Sequence, residues 1–236
     1  MREKRVAILG SATGWREAFK DTDREIWALN DMYMARDNDG AMLEHAAHIT
    51  RWFELHGDTP ITRSRRHEDH WRIIDNLNIP VYTLHDVPVR QKVSYPIEAA
   101  TAVANRAYFA CTTSYQIALA LSEDFTSIDL YGICLTSTRE ALVERPCVEW
   151  WLGLAEGRGV KVSVNHPWNY GLGRHLYRYA LDDDEERRDT YAFATMHTQQ
   201  ALPWLIAETK RLNLTPDPVD YGKDIMISCT EDAVDA

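Results

Sequence analysis

The sequence predicts an α/β fold: an open, mostly parallel, doubly wound sheet followed by a helical C-terminal segment. Three observations carry this. Short apolar runs recur between residues 5 and 165. Helix-patterned stretches separate them, the alternation expected of a parallel sheet covered on both faces. Polar residues stand at the C-terminal ends of the runs, where open α/β sheets bind ligands.

Residues 5–10 (RVAILG) read as a buried first strand stopped by Gly10. A small-residue turn follows at 11–15, and 16–20 start a helix. Residues 25–30 form a second strand with Asn30 and Asp31 at its polar end. Residues 49–56 form a third, whose end carries Glu54, His56 and Asp58. Residues 61–78 read as one helix with a basic front. A fourth strand spans 80–84, and 85–98, with Pro88 and Pro96, read as a loop. Helical spacing returns at 97–107. Residues 112–121 form a hydroxyl-capped, buried helix. A fifth strand covers 127–134, a helix 150–157 stops at Gly157 and Gly159, and a sixth strand covers 160–164. About six mainly parallel strands make a Rossmann-like nucleotide-binding domain over residues 1–167. The remaining residues, 168–236, read as a helical extension and polar tail, and 168–213 hold no clear strand. Acids at 182–186 begin a long helix there, Pro203 breaks it, and a polar tail closes the chain.

The 236 residues suffice for one such domain with an appendage. With 45% hydrophobic and 26% charged residues, a wholly disordered chain is excluded. No run approaches the roughly 18–20 apolar residues of a membrane helix, and residues 1–6 carry no signal-peptide core, so the expected compartment is the cytoplasm. A net charge of −10 excludes bulk coating of DNA, while leaving room for a local basic patch. Cys111, Cys134, Cys147 and Cys229 form no CxxC pair and read as reduced, mostly buried thiols, not a zinc site. Eight Trp and eleven Tyr serve core packing or platforms for a sugar or base.

The chemistry-bearing residues fall at the strand ends. The turn Gly10-Ser11-Ala12-Thr13-Gly14 lacks the third glycine of a dinucleotide fingerprint and any phosphate-loop lysine. It is either a plain turn or a nucleotide cradle built on Gly10, Ser11 and Thr13. Capping explains one hydroxyl of Thr112-Thr113-Ser114; the others suit a phosphate or ribose. With Asn30 and Asp31 these residues make a candidate donor pocket. His56 is the best-placed general base, although a lone histidine is more often structural. Glu144 and Arg145 are either a solvated helix start or an acid–base group plus a cation for a leaving phosphate. Arg63, Arg65 and Arg66 lead the one basic cluster, a solvated helix face or a contact for nucleic-acid phosphates. No carboxylate pair has convincing metal spacing, so neither metal nor separate cofactor is expected. Oligomeric state is not legible.

Residues 112–121, the strand at 128–135 ending Gly132-Ile133-Cys134, and the run at 160–167 resemble, in order, the bacterial Rossmann-like sialyltransferases. In that family a Thr-Ser helix start precedes a Gly-Ile-Asp strand end, and a late strand leads into a Pro-Asn-Ser loop. Gly10–Gly14 and Asn30 match its first turn and second-strand Asn. The similarity spans roughly residues 5–170 in short motifs. Ser11 stands where the family has Asn, and Cys134 where it has Asp. Residues 135–159 hold no counterpart of its catalytic His or paired tyrosines. The resemblance therefore implies the fold and the nucleotide pocket, not sialyl transfer. A weaker resemblance, carried by Trp15-Arg-Glu, residues 26–30, 51–56 and 152–159 and Glu144-Arg-Pro, is to a widespread set of bacteriophage proteins without settled function, some of which are similar to glycosyltransferases that decorate hydroxymethylated DNA bases.

The resulting expectation is a transferase with a nucleotide-activated donor, most simply a nucleotide-sugar glycosyltransferase, with a DNA base hydroxyl as acceptor in the phage reading. The rivals are a nucleotide or nucleoside hydrolase and a non-catalytic nucleotide-binding protein.

Overall fold

In the computed structural model the strands are β1 (Arg5–Leu9), β2 (Glu25–Leu29), β3 (Arg36–Asp37), β4 (Gly40–Ala41), β5 (Arg51–Phe53), β6 (Val81–Thr83), β7 (Lys92–Ser94), β8 (Ser127–Tyr131) and β9 (Lys161–Asn165). Seven of them make one sheet in the order β7-β6-β5-β2-β1-β8-β9. Every neighbouring pair in it is parallel. β3 and β4 form a separate antiparallel ribbon. The helices are α1 (Pro60–Arg65), α2 (His70–Asn76), α3 (Ile97–Ala104), α4 (Thr112–Ser122) and α5 (Arg145–Gly157). The structure describes residues 3–135 and 140–165, all inside one compact unit, Met1–Arg174. The helical extension expected over 168–236 lies outside the described residues. Among the described residues, no helix is long and apolar enough to cross a membrane.

The strand order places the ligand crevice. From β1 the chain steps outward through β2, β5, β6 and β7, then returns to lay β8 on the other side of β1. The switch point is the gap between β1 and β8, where helices on opposite faces leave a cleft beyond the strand ends.

The sheet is buried on both faces, which is why its strands read as continuous apolar runs. Along β1, Val6 and Ile8 join Trp27, Ile117, Phe125 and Trp151 in one core. Ala7 and Leu9 join Trp15, Trp52 and Ile74 in the other. Trp15, Trp27, Trp52 and Trp151 are at most 1% exposed, so these four rings pack the interior and offer no platform to a sugar.

Three expectations differ. The helix expected over 61–78 is broken into α1 and α2, because Arg66 leaves helical geometry (φ −100°, ψ 158°) and turns its guanidinium inward. The expected loop 85–98 contains β7, an edge strand with exposed Lys92 and Ser94 and hence no apolar run to announce it. The helix expected from residue 150 starts at Arg145, with Pro146 in its first turn, where a missing N–H costs nothing.

Candidate functional site

The floor of the switch-point cleft is a close approach of two backbones. Gly10 N–H donates to Tyr131 O at 2.8 Å and Ala12 N–H to Gly132 O at 2.9 Å. A Cβ on Gly10 would lie 2.5 Å from Gly132 O, and one on Gly132 would lie 2.4 Å from Gly10 O. Gly132 also takes φ +63°, which side chains rarely adopt. These glycines thus serve strand-to-strand contact, and the N–H groups of Gly10 and Ala12 are already donated inside the protein. Of the two readings of this turn, a cradle would have to do without the N–H groups of Gly10 and Ala12.

Above the floor lies a cavity of about 300 Å³, at the lower end of small-molecule sites. Its lining includes Gly10, Ser11, Asn30, Asp31, Thr112, Thr113, Cys134 and Glu144. Residues distant in sequence therefore converge where the strand-end reading put them. Thr13 is exposed and outside this lining. Ser114 is buried and turns back, donating from Oγ to Cys111 O at 2.6 Å. Thr112 and Thr113 line the cavity, the Thr112 hydroxyl being donated to Asn30 Oδ1, and the Ser114 hydroxyl serves the helix itself. Burial pushes the Cys111 thiol up to about 11, so this lining cysteine stays protonated and is a poor nucleophile at neutral pH.

Asn30 is the most tightly held of these groups. It sits in the left-handed region at φ 48°, which Asn tolerates better than most residues. Its N–H donates to Phe53 O at 2.8 Å. Its carbonyl accepts from Trp52 Nε1 at 3.1 Å, and its Oδ1 accepts from Thr112 Oγ1 at 3.2 Å.

A second cavity, of about 190 Å³, shares Asn30 and Asp31 with the first and adds Glu54, His56, Thr62 and Arg66. Glu54 is fully buried. Its Oε1 accepts from His56 N–H at 3.1 Å, His56 Nδ1 at 3.0 Å and Arg66 Nη2 at 2.7 Å. Its Oε2 lies 3.2 Å from His70 Nε2, at an angle that leaves both atoms without a hydrogen bond. The other nitrogen of His70 meets Tyr33 Oη at 2.9 Å. Burial alone would raise the Glu54 carboxyl. Contacts with His56 and His70 and the charge of Arg66 outweigh it and hold the group down at about 2.

The remaining sequence candidates are placed as follows. Glu144 lines the larger cavity and His56 the smaller, and the two cavities share Asn30 and Asp31. Arg145 is outside both linings, and its Nε donates to Glu149 Oε1 at 2.7 Å, one turn along α5. In this structure that guanidinium pairs along its own helix. Arg63 lies 3.5 Å from Asp58, and Arg65 is the last residue of α1. Arg66 is committed to Glu54, which removes it from the exposed basic face the sequence suggested. Thr136, Ser137, Thr138 and His166 fall outside the described residues. Sequence reasoning named Glu54 only as a strand-end acid and His70 only as a member of the basic cluster, and it missed Tyr33. The available signal was the i, i+2 spacing of Glu54 and His56, which brings alternate side chains of an extended segment to one side. Among the described residues, no group of three or more His, Cys, Asp and Glu side chains is disposed to hold a metal ion.

No protein-family model matches the sequence, and no curated protein is similar to it. Among the solved structures similar to the chain are sialyltransferases of Campylobacter jejuni. One is an α-2,3-sialyltransferase in apo form, at 12% identity and TM-score 0.43, covering 74% of this chain and 80% of that one. Another is the sialyltransferase CstII with the substrate analogue CMP-3FNeuAc, at 12% identity and TM-score 0.44, covering 80% and 99%. A third is the monofunctional α-2,3-sialyltransferase Cst-I, at 10% identity and TM-score 0.41, covering 84% and 96%. They are sialyltransferases, the group that the sequence motifs resemble. Likeness at this level says nothing about activity, and the chemistry below rests on this chain's own side chains.

Proposed function

We propose that the protein is a transferase that binds a nucleotide-activated sugar in the larger cavity and an acceptor hydroxyl in the smaller. The observation that carries this reading is the shared wall: Asn30 and Asp31 line both cavities, and His56 stands in the second. A hydrolase or a nucleotide-binding protein needs only the first cavity. A transferase needs a second, adjoining it, with a base within reach of the acceptor.

The donor sits against the start of α4, where Thr113 offers a hydroxyl and the helix N-terminus favours an anion. His56 takes the acceptor proton on Nε2. The acceptor oxygen bonds to the sugar's anomeric carbon as the bond from that carbon to the nucleotide phosphate oxygen breaks, and the phosphate leaves with the electron pair. The donor class draws support from the sequence resemblance. The narrower acceptor, a hydroxymethylated DNA base, is supported by the phage resemblance alone, since Arg63 faces Asp58 and Arg66 is bound to Glu54.

The test is binding by calorimetry, then turnover, with a panel of nucleotide sugars that includes CMP-sugars. Oligosaccharides and hydroxymethylated DNA serve as acceptors. His56→Ala should lower turnover by about 10²–10⁴-fold with donor affinity unchanged. Failure of the native chain to bind any nucleotide sugar sinks the donor reading. Release of free sugar without an acceptor turns it into hydrolysis. Full turnover in His56→Ala removes the base.

A further inference from the structure

We propose that Glu54 is a positioning residue, which locks the His56 ring in the tautomer a base needs and is itself held by Arg66 and by a buried His70–Tyr33 pair. The proposal deepens the reading above and takes its chemistry from it, but its first test requires no substrate.

The geometry is specific to this task. Glu54 follows β5 directly, and its N–H still bonds Tyr82 O at 3.0 Å, so the backbone that carries it belongs to the sheet's ladder. His56 comes two residues later and meets one carboxylate oxygen twice, through its backbone N–H at 3.1 Å and its ring Nδ1 at 3.0 Å. Two contacts to one acceptor fix both the position of the ring and its rotation. Glu54 is ionised across the neutral range and can only accept. The proton on the His56 ring therefore lies on Nδ1, and the lone pair lies on Nε2. Among the described residues, Nε2 has no hydrogen-bond partner, and the side chain is 53% exposed beside the cavity it lines.

The surroundings keep the carboxylate in place. Arg66 Nη2, on a side chain only 9% exposed, holds Oε1 at 2.7 Å. His70, 3% exposed, stands behind Oε2, and Tyr33 Oη fixes His70 from its far side at 2.9 Å. With Nε2–H toward the carboxylate, His70 Nδ1 accepts from the Tyr33 hydroxyl. The charges of Glu54 and Arg66 face each other in the interior. When His56 takes the acceptor proton on Nε2, the imidazolium faces a fixed anion across its Nδ1–H, the stabilisation a buried carboxylate gives a catalytic histidine. A carboxylate whose sole task was to neutralise Arg66 would not also need two donors from His56.

The first measurement is two-bond ¹H–¹⁵N correlation NMR on the full chain with labelled histidine near pH 7.5, with the His56 signal assigned by its loss in His56→Gln. The Nδ1–H form is expected, against the Nε2–H form that exposed histidines favour in water. An Nε2–H tautomer overturns the proposal, whatever the protein's activity. The second is Glu54→Gln, assayed with the donor and acceptor found active in the panel. It should lower kcat by about 10²–10⁴-fold while donor affinity, read by calorimetry, stays within about threefold. A Glu54→Gln variant with full kcat, beside an inactive His56→Ala, overturns the positioning role alone. If the Nδ1–H form is found but no nucleotide sugar reacts, the transferase reading fails and the positioning stands. If Glu54→Gln does not fold, the tautomer of the native protein still decides.

Discussion

Replacing Glu54 by Gln removes one negative charge from the interior and leaves the Arg66 guanidinium without its carboxylate. Glu54 is fully buried and Arg66 is 9% exposed, with 2.7 Å between the paired atoms. Breaking a buried pair by neutralising one partner costs about 3–5 kcal/mol, because the remaining charge is then uncompensated. In a domain whose whole stability is about 5–15 kcal/mol, that is a large fraction. Arg66→Met removes the other charge and leaves Glu54 with only His56 and His70 beside it. The double variant holds no orphan charge. Its loss should therefore fall short of the sum of the two single losses by about 1 kcal/mol or more, as expected for residues in direct contact. Urea unfolding of the four proteins, with m-values compared to check that the same surface unfolds, measures the coupling. The reasoning is refuted if Glu54→Gln costs less than about 1 kcal/mol, or if the two losses simply add.

The same carboxylate sets an acid limit. Its folded pKa of about 2 lies below the ordinary 4.5, so the unfolded chain binds more protons between those values. The group then contributes about 3 kcal/mol of stability that is complete above about pH 4.5 and lost as pH falls toward 2; urea midpoints measured against pH should drop over that window, and less so in Glu54→Gln. Gly10→Ala should destabilise the fold by about 1–3 kcal/mol and weaken nucleotide binding, because its Cβ would meet Gly132 O at 2.5 Å and Ile133 Cγ1 at 2.8 Å in the cavity floor; a variant with native melting and native affinity would contradict that contact. Arg145→Ala should leave nucleotide affinity unchanged and cost only about 0.3–0.5 kcal/mol, the worth of its partly exposed pair with Glu149; a tenfold loss of affinity by calorimetry would put Arg145 in the site.

Residues near one another along the chain had a legible fate. The buried strands announced themselves as apolar runs, since a strand covered on both faces has no polar side to show. Asn30, Thr112 and Thr113 were recognisable as site candidates because an α/β sheet gathers its ligand groups at strand ends and helix starts. The edge strand β7 gave no signal, because one side of it faces solvent and Lys92 and Ser94 are exposed. What the tertiary structure decided was pairing. Nothing local distinguishes Arg66, folded inward onto Glu54, from Arg63 three residues before it, which reaches Asp58 at the surface. Nothing local joins His70 and Tyr33 to the same carboxylate, since Tyr33 follows β2, Glu54 follows β5 and His70 begins α2. Composition and spacing determine which segments are buried. Which charges share a burial site depends on strand order, and strand order is a property of the whole sheet.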